Sequence, residues 1–353
     1  MPSVADLLPY LQTIDERCWY SNFGPLATML EEQMSAHLGM PEPCVVTTAN
    51  ATAGITAALL ARNAPPRSLC IMPSWTFAAT PHAAHAAGLT PWFHDVDSQT
   101  WAFDPEAVRE TIERIARPVG AVLVVSPFGA PIDVHAWQAF EDRTGIPVVV
   151  DAAAGFDTVR ASRIPAVVSL HATKILGAGE GGFIVTTDSE LRERIRSCCN
   201  FGFLDSRSAR TAAINGKMSE YHAAVALAGL ARWPEIREQH VHIATWYRRG
   251  VAAVKGAALQ PGYGNGWVSA TTSMVLPSQS ALFAACHLLS RGIDTRAWWG
   301  HGCHVQPAFA DYPRGPLPVT EDLGARVLGL PHFPGIQEQQ VEIVMSALSE
   351  LLR

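Results

Sequence analysis

The sequence predicts an α/β fold: a mostly parallel sheet flanked by helices on both faces, followed by a smaller C-terminal α+β domain. Three observations predict it. Short apolar runs alternate with helical segments through the first two thirds of the chain, the pattern that builds βαβ units. Runs such as Ile146 to Val150, or AVLVVSP after Gly120, are apolar at nearly every position, as strands covered on both faces are. Finally, 353 residues, 48% hydrophobic and 16% charged, make a chain long for a single core.

Residues 3–16 carry a helical pattern, and Leu26–His37 a second. Between them Trp19-Tyr20-Ser21-Asn22-Phe23-Gly24-Pro25 reads as a loop, either a packed connector or an active-site wall. Cys44–Thr48 is a short strand. The small-residue turn Ala49-Asn50-Ala51-Thr52-Ala53-Gly54 follows, then a helix from about Ile55 to Arg62. Such a turn suits a phosphate, because the first N–H groups of a helix lack partners and its dipole favours an anion. Thr52 adds a hydroxyl. The turn also fits a plain helix cap, and no P-loop lysine is present to suit a nucleoside triphosphate.

Strands at Ser68–Met72, Gly88–Asp95 and Gly120–Pro127, with helices at Pro105–Ile115 and His135–Thr144, continue the alternation. Past the first of these, Pro73-Ser74-Trp75-Thr76-Phe77 sets aromatics where they either cover a planar ring or join the core. Ile146–Val150 then delivers Asp151 at a strand tip. Ala166–Leu170 leads into His171-Ala172-Thr173-Lys174, and a Gly-rich turn opens the seventh strand, Gly182–Thr187.

An acid at one strand end and a lysine just past the next is a layout that pyridoxal phosphate chemistry requires. The amine forms the Schiff base, and the carboxylate keeps the pyridine nitrogen protonated so that the ring acts as an electron sink. Taken alone, the pair also fits an ordinary surface lysine and an ordinary strand-end aspartate. Convergence favours the cofactor: the Thr52 turn, Phe77, Asp151 and Lys174 all fall at or beyond carboxyl ends of strands, where open α/β sheets bind ligands. Gly177-Ala-Gly179-Glu-Gly-Gly182 has the spacing G-x-G-x-x-G but precedes a strand and opens no helix, so a dinucleotide is not expected there.

Downstream, a charged helix (Ser189–Ser197) reaches Asn200-Phe201-Gly202-Phe203, and residues 204–214 read as a polar, mobile loop. In Asn215-Gly216-Lys217-Met218-Ser219-Glu220, either Ser219 or Asn215 caps the apolar helix Ala223–Leu230. Trp233-Pro234 marks a domain boundary, giving residues 1–232 and 233–353. The second domain holds a helix to about Lys255, strands near Trp267–Leu276, a helix at Ser280–Arg291 and a last one at Glu338–Leu352.

The net charge of −6 gives no electrostatic reason to expect nucleic acid or an anionic membrane as partner. No signal peptide or membrane-spanning run is read from the sequence, so the expected compartment is the cytoplasm. Seven scattered cysteines without a C-x-x-C are expected to be reduced and mostly core. His301-Gly-Cys303-His304, and His82 with His85, invite a metal, but no second ligand cluster stands at zinc spacing, and none is expected.

With these residues assembled, the chain resembles the DegT/StrS-type sugar aminotransferases of the fold-type-I pyridoxal phosphate superfamily. The likeness runs nearly end to end: WYSNFGP, the NATAG turn, PSWTFAAT, VVDAA, SLHATK with GEGG, NGKMSE with AAVALAGL, then RGIDTR, HVQPAF and LPVTEDLGARVLGLP. It implies the aspartate-aminotransferase-like fold, with Lys174 at the Schiff-base position and Asp151 paired with the pyridine nitrogen. Thr52, the Ala53 backbone and Ser169 would meet the phosphate, and Phe77 would lie over the ring. Asn215 would reach the phosphate of the neighbouring subunit's cofactor, which implies a homodimer with shared sites.

The resemblance further implies two half-reactions. L-glutamate donates its amine to form pyridoxamine phosphate, and a keto sugar linked to a nucleotide diphosphate accepts it. The product would feed surface polysaccharide such as lipopolysaccharide O-antigen, or an amino sugar of a secondary metabolite. Two departures matter. Ala154 stands where the family has Gln or His against the ring hydroxyl, and related dehydratases carry His where Lys174 stands, which favours transamination. Lys217, Arg296, Trp298 and Trp299 either face a diphosphate or base or are structural. The alternatives are a cyclitol (inosose-type) aminotransferase and a non-catalytic regulatory relative of the fold.

Overall fold

The computed structural model describes residues 1–278 and 280–352. Helices α1 (Val4–Arg17) and α2 (Pro25–His37) precede β1 (Val45–Thr48), α3 (Ala51–Ala61), β2 (Leu69–Pro73), α4 (Ala79–Ala86) and β3 (Thr90–His94). Then come α5 (Pro105–Arg114), β4 (Val119–Val125), α6 (Val134–Thr144), β5 (Val148–Asp151), β6 (Ala166–Ser169) and β7 (Gly182–Val185). The remainder comprises α7 (Ser189–Cys199), α8 (Glu220–Ala231), α9 (Trp233–Val251), β8 (Ala258–Leu259), β9 (Thr272–Val275), α10 (Ala281–Leu289), α11 (Pro318–Arg326), β10 (Val327–Leu330) and α12 (Glu338–Leu351).

The first seven strands form one sheet in the order β1-β7-β6-β5-β4-β2-β3, the mostly parallel sheet that the sequence predicts. Strand β7 runs against both its neighbours, β1 and β6; the other pairings are parallel. Successive residues serve opposite cores. Val148 and Val150 join a cluster with side chains of α2, α6 and α8, whereas Val149 joins one with α3, α4 and α7. Neither face meets water, which is why these strands show no polar alternation.

The C-terminal part is built on a second, antiparallel sheet, β10-β9-β8. Ile243 and Tyr247 of α9, Met274 of β9, Leu288 of α10, Leu328 of β10 and Leu348 of α12 fill its core. Helices α8 and α9 meet at Arg232, with Pro234 in the first turn of α9. The large cluster also takes in Trp233, Tyr263, Trp267, Leu323 and Val327, so apolar packing crosses the 232/233 junction. Residues 279 and 353, inside the expected second domain, lie outside the described residues. No helix among the described residues is long and apolar enough to cross a membrane.

Several expectations need correction. Helices α4 and α11 and strands β8 and β10 are absent from the sequence reading, and the strand expected near Trp267 begins only at Thr272. Helix α3 starts at Ala51, ahead of the expected Ile55, because Asn50 caps it: its Oδ1 accepts the Ala53 N–H at 2.8 Å.

Candidate active site

Strand register gathers the carboxyl ends. Gly182, the first residue of β7, pairs with Thr48 of β1 and with Ser169 of β6. Two residues before Ser169, Val167 pairs with Asp151. Ala153 ties these ends together: its N–H donates to Asp151 Oδ1 at 3.1 Å, and its carbonyl accepts the Ser169 N–H at 3.2 Å.

Lys174 stands on the connection between β6 and β7, which folds back on itself. The Leu170 N–H donates to the Gly181 carbonyl at 2.9 Å, and the Ala172 N–H to that of Gly179 at 2.8 Å. Gly179 and Gly181 have φ of +81° and +155°, a region that strains side chains. A Cβ on Gly181 would also lie 2.9 Å from Met218 Cε. The G-x-G-x-x-G run is therefore a tight return into strand β7.

Asp151 is buried, and Thr80 Oγ1 donates to its Oδ2 at 2.8 Å. Burial pushes this carboxyl above the usual range, while the Thr80 and Ala153 donors and the Lys174 charge draw it back. Burial likewise holds the Lys174 amine below the ordinary lysine value, against the pull of the Asp151 charge. The two groups sense each other, yet no ion pair joins them among the described residues. An acid short of a cation beside an amine short of an anion is a donor set that a protonated pyridine ring bearing an aldehyde completes. The residues fit the cofactor.

The anion end fits too. The N–H groups of Ala51 and Thr52 and the Thr52 hydroxyl have no acceptor among the described residues, as expected of a first helical turn. The Ala53 N–H, expected from the resemblance to meet the phosphate, donates instead to the Asn50 cap. A Cβ on Gly182 would lie 2.9 Å from the Ala51 nitrogen, so β7 enters directly under the start of α3. Ser169, paired with Gly182, thus stands beside that turn. Its Oγ accepts the His171 N–H at 3.2 Å and keeps its own proton to donate.

Phe77 is 61% exposed, in the turn between β2 and α4. Asn215 is brought near the phosphate turn of its own chain, because the Gly216 carbonyl accepts the Ala49 N–H at 2.7 Å. Its Oδ1 accepts from Lys217 Nζ at 2.7 Å, and that ammonium lies 4.2 Å over the Phe201 ring. Of the two candidate caps for α8, Ser219 is the one used. Glu220 accepts the N–H groups of Leu26 and Ala27 at 2.7 and 3.0 Å, fastening α8 to the start of α2.

Trp299 stacks on Phe128 at 4.0 Å and meets Trp75 edge-on at 5.5 Å, just past the end of β4. Arg296 pairs with Asp294 at 2.8 Å. With Trp298 they line a separate cavity of about 550 Å³ beside β10 and α12, which includes neither Lys174 nor Asp151. His304 turns inward to Ser74 Oγ at 2.7 Å, and no metal-holding group of three His, Cys, Asp or Glu occurs among the described residues. The residues that sequence reading missed are Thr80 and Thr76. Their signal was the pair of threonines four apart in TFAAT.

A family model for DegT/DnrJ/EryC1/StrS aminotransferases matches residues 4–349. DesI, solved in the presence of its TDP-sugar product, gives a TM-score of 0.89 at 31% identity, covering 100% of this chain and 91% of that one. DesV of S. venezuelae, in complex with a ketimine intermediate, gives 0.87 at 27% identity, over 99% and 95% of the two chains. A dTDP-3-amino-3,4,6-trideoxy-alpha-D-glucose transaminase of Streptomyces venezuelae is 31% identical over 79% of this chain and 75% of its own length. The sheet order, the acid and lysine at adjoining strand ends and this near-complete match agree, and the chain belongs to the DegT/DnrJ/EryC1/StrS family of pyridoxal-phosphate-dependent, fold-type-I aminotransferases.

Proposed function

We propose that the protein moves an amino group from L-glutamate to a keto sugar carried on a nucleoside diphosphate. The observation that carries this reading is the Asp151–Lys174 arrangement, a buried acid without a cation beside a partly buried amine without an anion. The named nucleotide-sugar relatives support the acceptor class. When bound, the cofactor supplies an electron sink for charge developing at the amino carbon. Asp151 would hold the proton of the ring nitrogen. Lys174 would hold the cofactor's aldehyde carbon. Its amine, made less basic by burial, would carry the proton between the substrate carbon and the cofactor. The Thr52 hydroxyl, the first N–H groups of α3 and Ser169 hold the phosphate, and Phe77 covers the ring face. Ala154 leaves the ring hydroxyl without a polar side-chain contact at that position.

Two chains form a homodimer in this reading, with Asn215 serving the neighbouring subunit's cofactor. The exposure of Trp19, Tyr20, Phe201 and Tyr221 supports a covered face there. Seven free cysteines, five of them buried, support the cytoplasm. The product feeds surface polysaccharide or a secondary metabolite.

The test is a glutamate-dependent screen of dTDP-, UDP- and GDP-linked keto sugars read by product mass. Replacement of a ketone by an amine on at least one nucleotide sugar is expected. Amination of free inosose-type ketones alone would move the acceptor to cyclitols. Protein that stays colourless with pyridoxal phosphate, or Lys174→Ala at full turnover, would overturn the site assignment.

A further inference from the structure

Asp151 must carry a negative charge to hold a proton on the ring nitrogen, yet it lies in a setting that opposes that charge. It is 5% exposed and has no arginine beside it among the described residues; Lys174 is the charged group that acts on it. What it has instead is a row of hydroxyls. Thr80 Oγ1 donates to Asp151 Oδ2 at 2.8 Å, and Thr76 Oγ1 lies 2.7 Å from Thr80 Oγ1. Both threonines are at most 1% exposed. A hydroxyl has one proton. With the Thr80 proton given to an ionised Asp151, the Thr76 proton must point at Thr80, and two aligned O–H dipoles then face the carboxylate. Such a chain polarises itself and is worth more at low dielectric than its separate bonds.

The row is also held in place. The Cys303 N–H donates to the Ser74 carbonyl at 2.8 Å, the His304 N–H to Ser74 Oγ at 3.2 Å, and Cys303 Sγ to the Thr76 carbonyl at 3.3 Å. The segment after Trp299 therefore clamps the turn that carries Thr76 and Phe77 and leads into Thr80 of α4.

We propose that Thr80, backed by Thr76, is a positioning residue that aims the Asp151 carboxylate at the cofactor ring nitrogen and sustains its negative charge. This rests on the aminotransferase reading of the same site. Without the Thr80 hydroxyl the carboxylate takes up a proton more readily, the ring nitrogen carries less positive charge, and the lysine linkage to the cofactor loses its proton at a higher pH.

The experiment compares wild type, Thr80→Val, Thr80→Ser and Thr76→Val, each loaded with pyridoxal phosphate. Two quantities are read: the pH titration of the bound cofactor's visible absorbance, and kcat and KM of the glutamate half-reaction. Thr80→Val should raise the titration midpoint and lower kcat about 10- to 100-fold, the range of one hydrogen bond to a charged group, with KM for glutamate changed less than about twofold. Thr80→Ser should restore both, and Thr76→Val should shift both the same way by less. An unmoved midpoint in Thr80→Val, or a Thr80→Ser as impaired as Thr80→Val, overturns the proposal. Should Thr80→Val fail to fold, Thr76→Val decides: it breaks the outer bond only, and an unmoved midpoint there overturns the relay. Wild type that takes up no cofactor overturns the aminotransferase reading along with it, whereas uptake with indifferent variants sinks the relay alone.

Discussion

Glu31 and Asp151 are both 5% exposed, and they are housed in opposite ways. Glu31 on α2 accepts the Thr47 N–H at 2.8 Å and the Thr47 hydroxyl at 2.9 Å, and its other oxygen meets the Arg196 guanidinium. Its countercharge is permanent. Asp151 has neutral donors and a lysine that does not touch it. Glu220, 1% exposed, stands between them: its countercharge is the N-terminus of α2. A buried acid with its own cation is part of the frame. One left without a cation, as Asp151 is among the described residues, suits the guest proposed above, which would bring it.

The sharpest way to break this contrast is Asp151→Asn. Turnover in the glutamate half-reaction should fall about 1,000-fold, equivalent to about 4 kcal/mol. The cofactor-free protein should melt within a few degrees of wild type, since a disfavoured charge has been removed. A large loss of stability with little loss of turnover would make Asp151 a frame residue like Glu31.

A pH titration of stability extends the comparison to buried bases. His240 Nδ1 lies 2.7 Å from His332 Nε2, and the His332 ring also meets Thr272 and Tyr263. Burial lowers His240 to about 4, and His332, beside it, lies well below its ordinary value. The folded pair stays neutral where the unfolded chain binds protons. Their contribution is thus complete above pH 6.5 and is lost as pH falls from there toward 4. For His240 alone that is about 3 kcal/mol. Denaturant midpoints at pH 7 and pH 4.5 check it, and a His240→Gln variant should flatten the slope.

Glu31→Gln should destabilise by about 2 kcal/mol, because Arg196 is left partly buried without its partner, and turnover per folded molecule should be unchanged. Urea unfolding and an active-site count measure the two. The smallest effect is expected from Glu220→Gln, about 1 kcal/mol, because one amide oxygen replaces two acceptors at a helix start.

Legibility followed how local each signal was. The run through Asp151 and Lys174 could be read because β5 is apolar up to the Asp151 at its tip and Lys174 follows shortly after the short apolar run of β6. Ser219 was readable as a cap because its hydroxyl serves its own helix. Helix α11 was not, since its start is served from far along the chain: Asp95 accepts the Val319 and Thr320 N–H groups, each at 2.8 Å. Helix α4 is short, rich in alanine and carries Pro81 in its first turn, so it has no amphipathic period to detect, and Thr80 was missed with it. Strand β8 is two residues long, below what any pattern can mark. The C-terminal sheet is held mainly by contacts between distant segments, and sequence spacing is silent about those.

The reversed direction of β7 has a mechanical result. Because that strand enters the sheet at the end where β6 leaves it, the segment bearing Lys174 is pinned at both feet, one strand apart. It cannot swing as a free lid does. In the proposed reaction, the travel of the proton would come from rotations along the four-carbon stem of Lys174, about a main chain held by those two bonds.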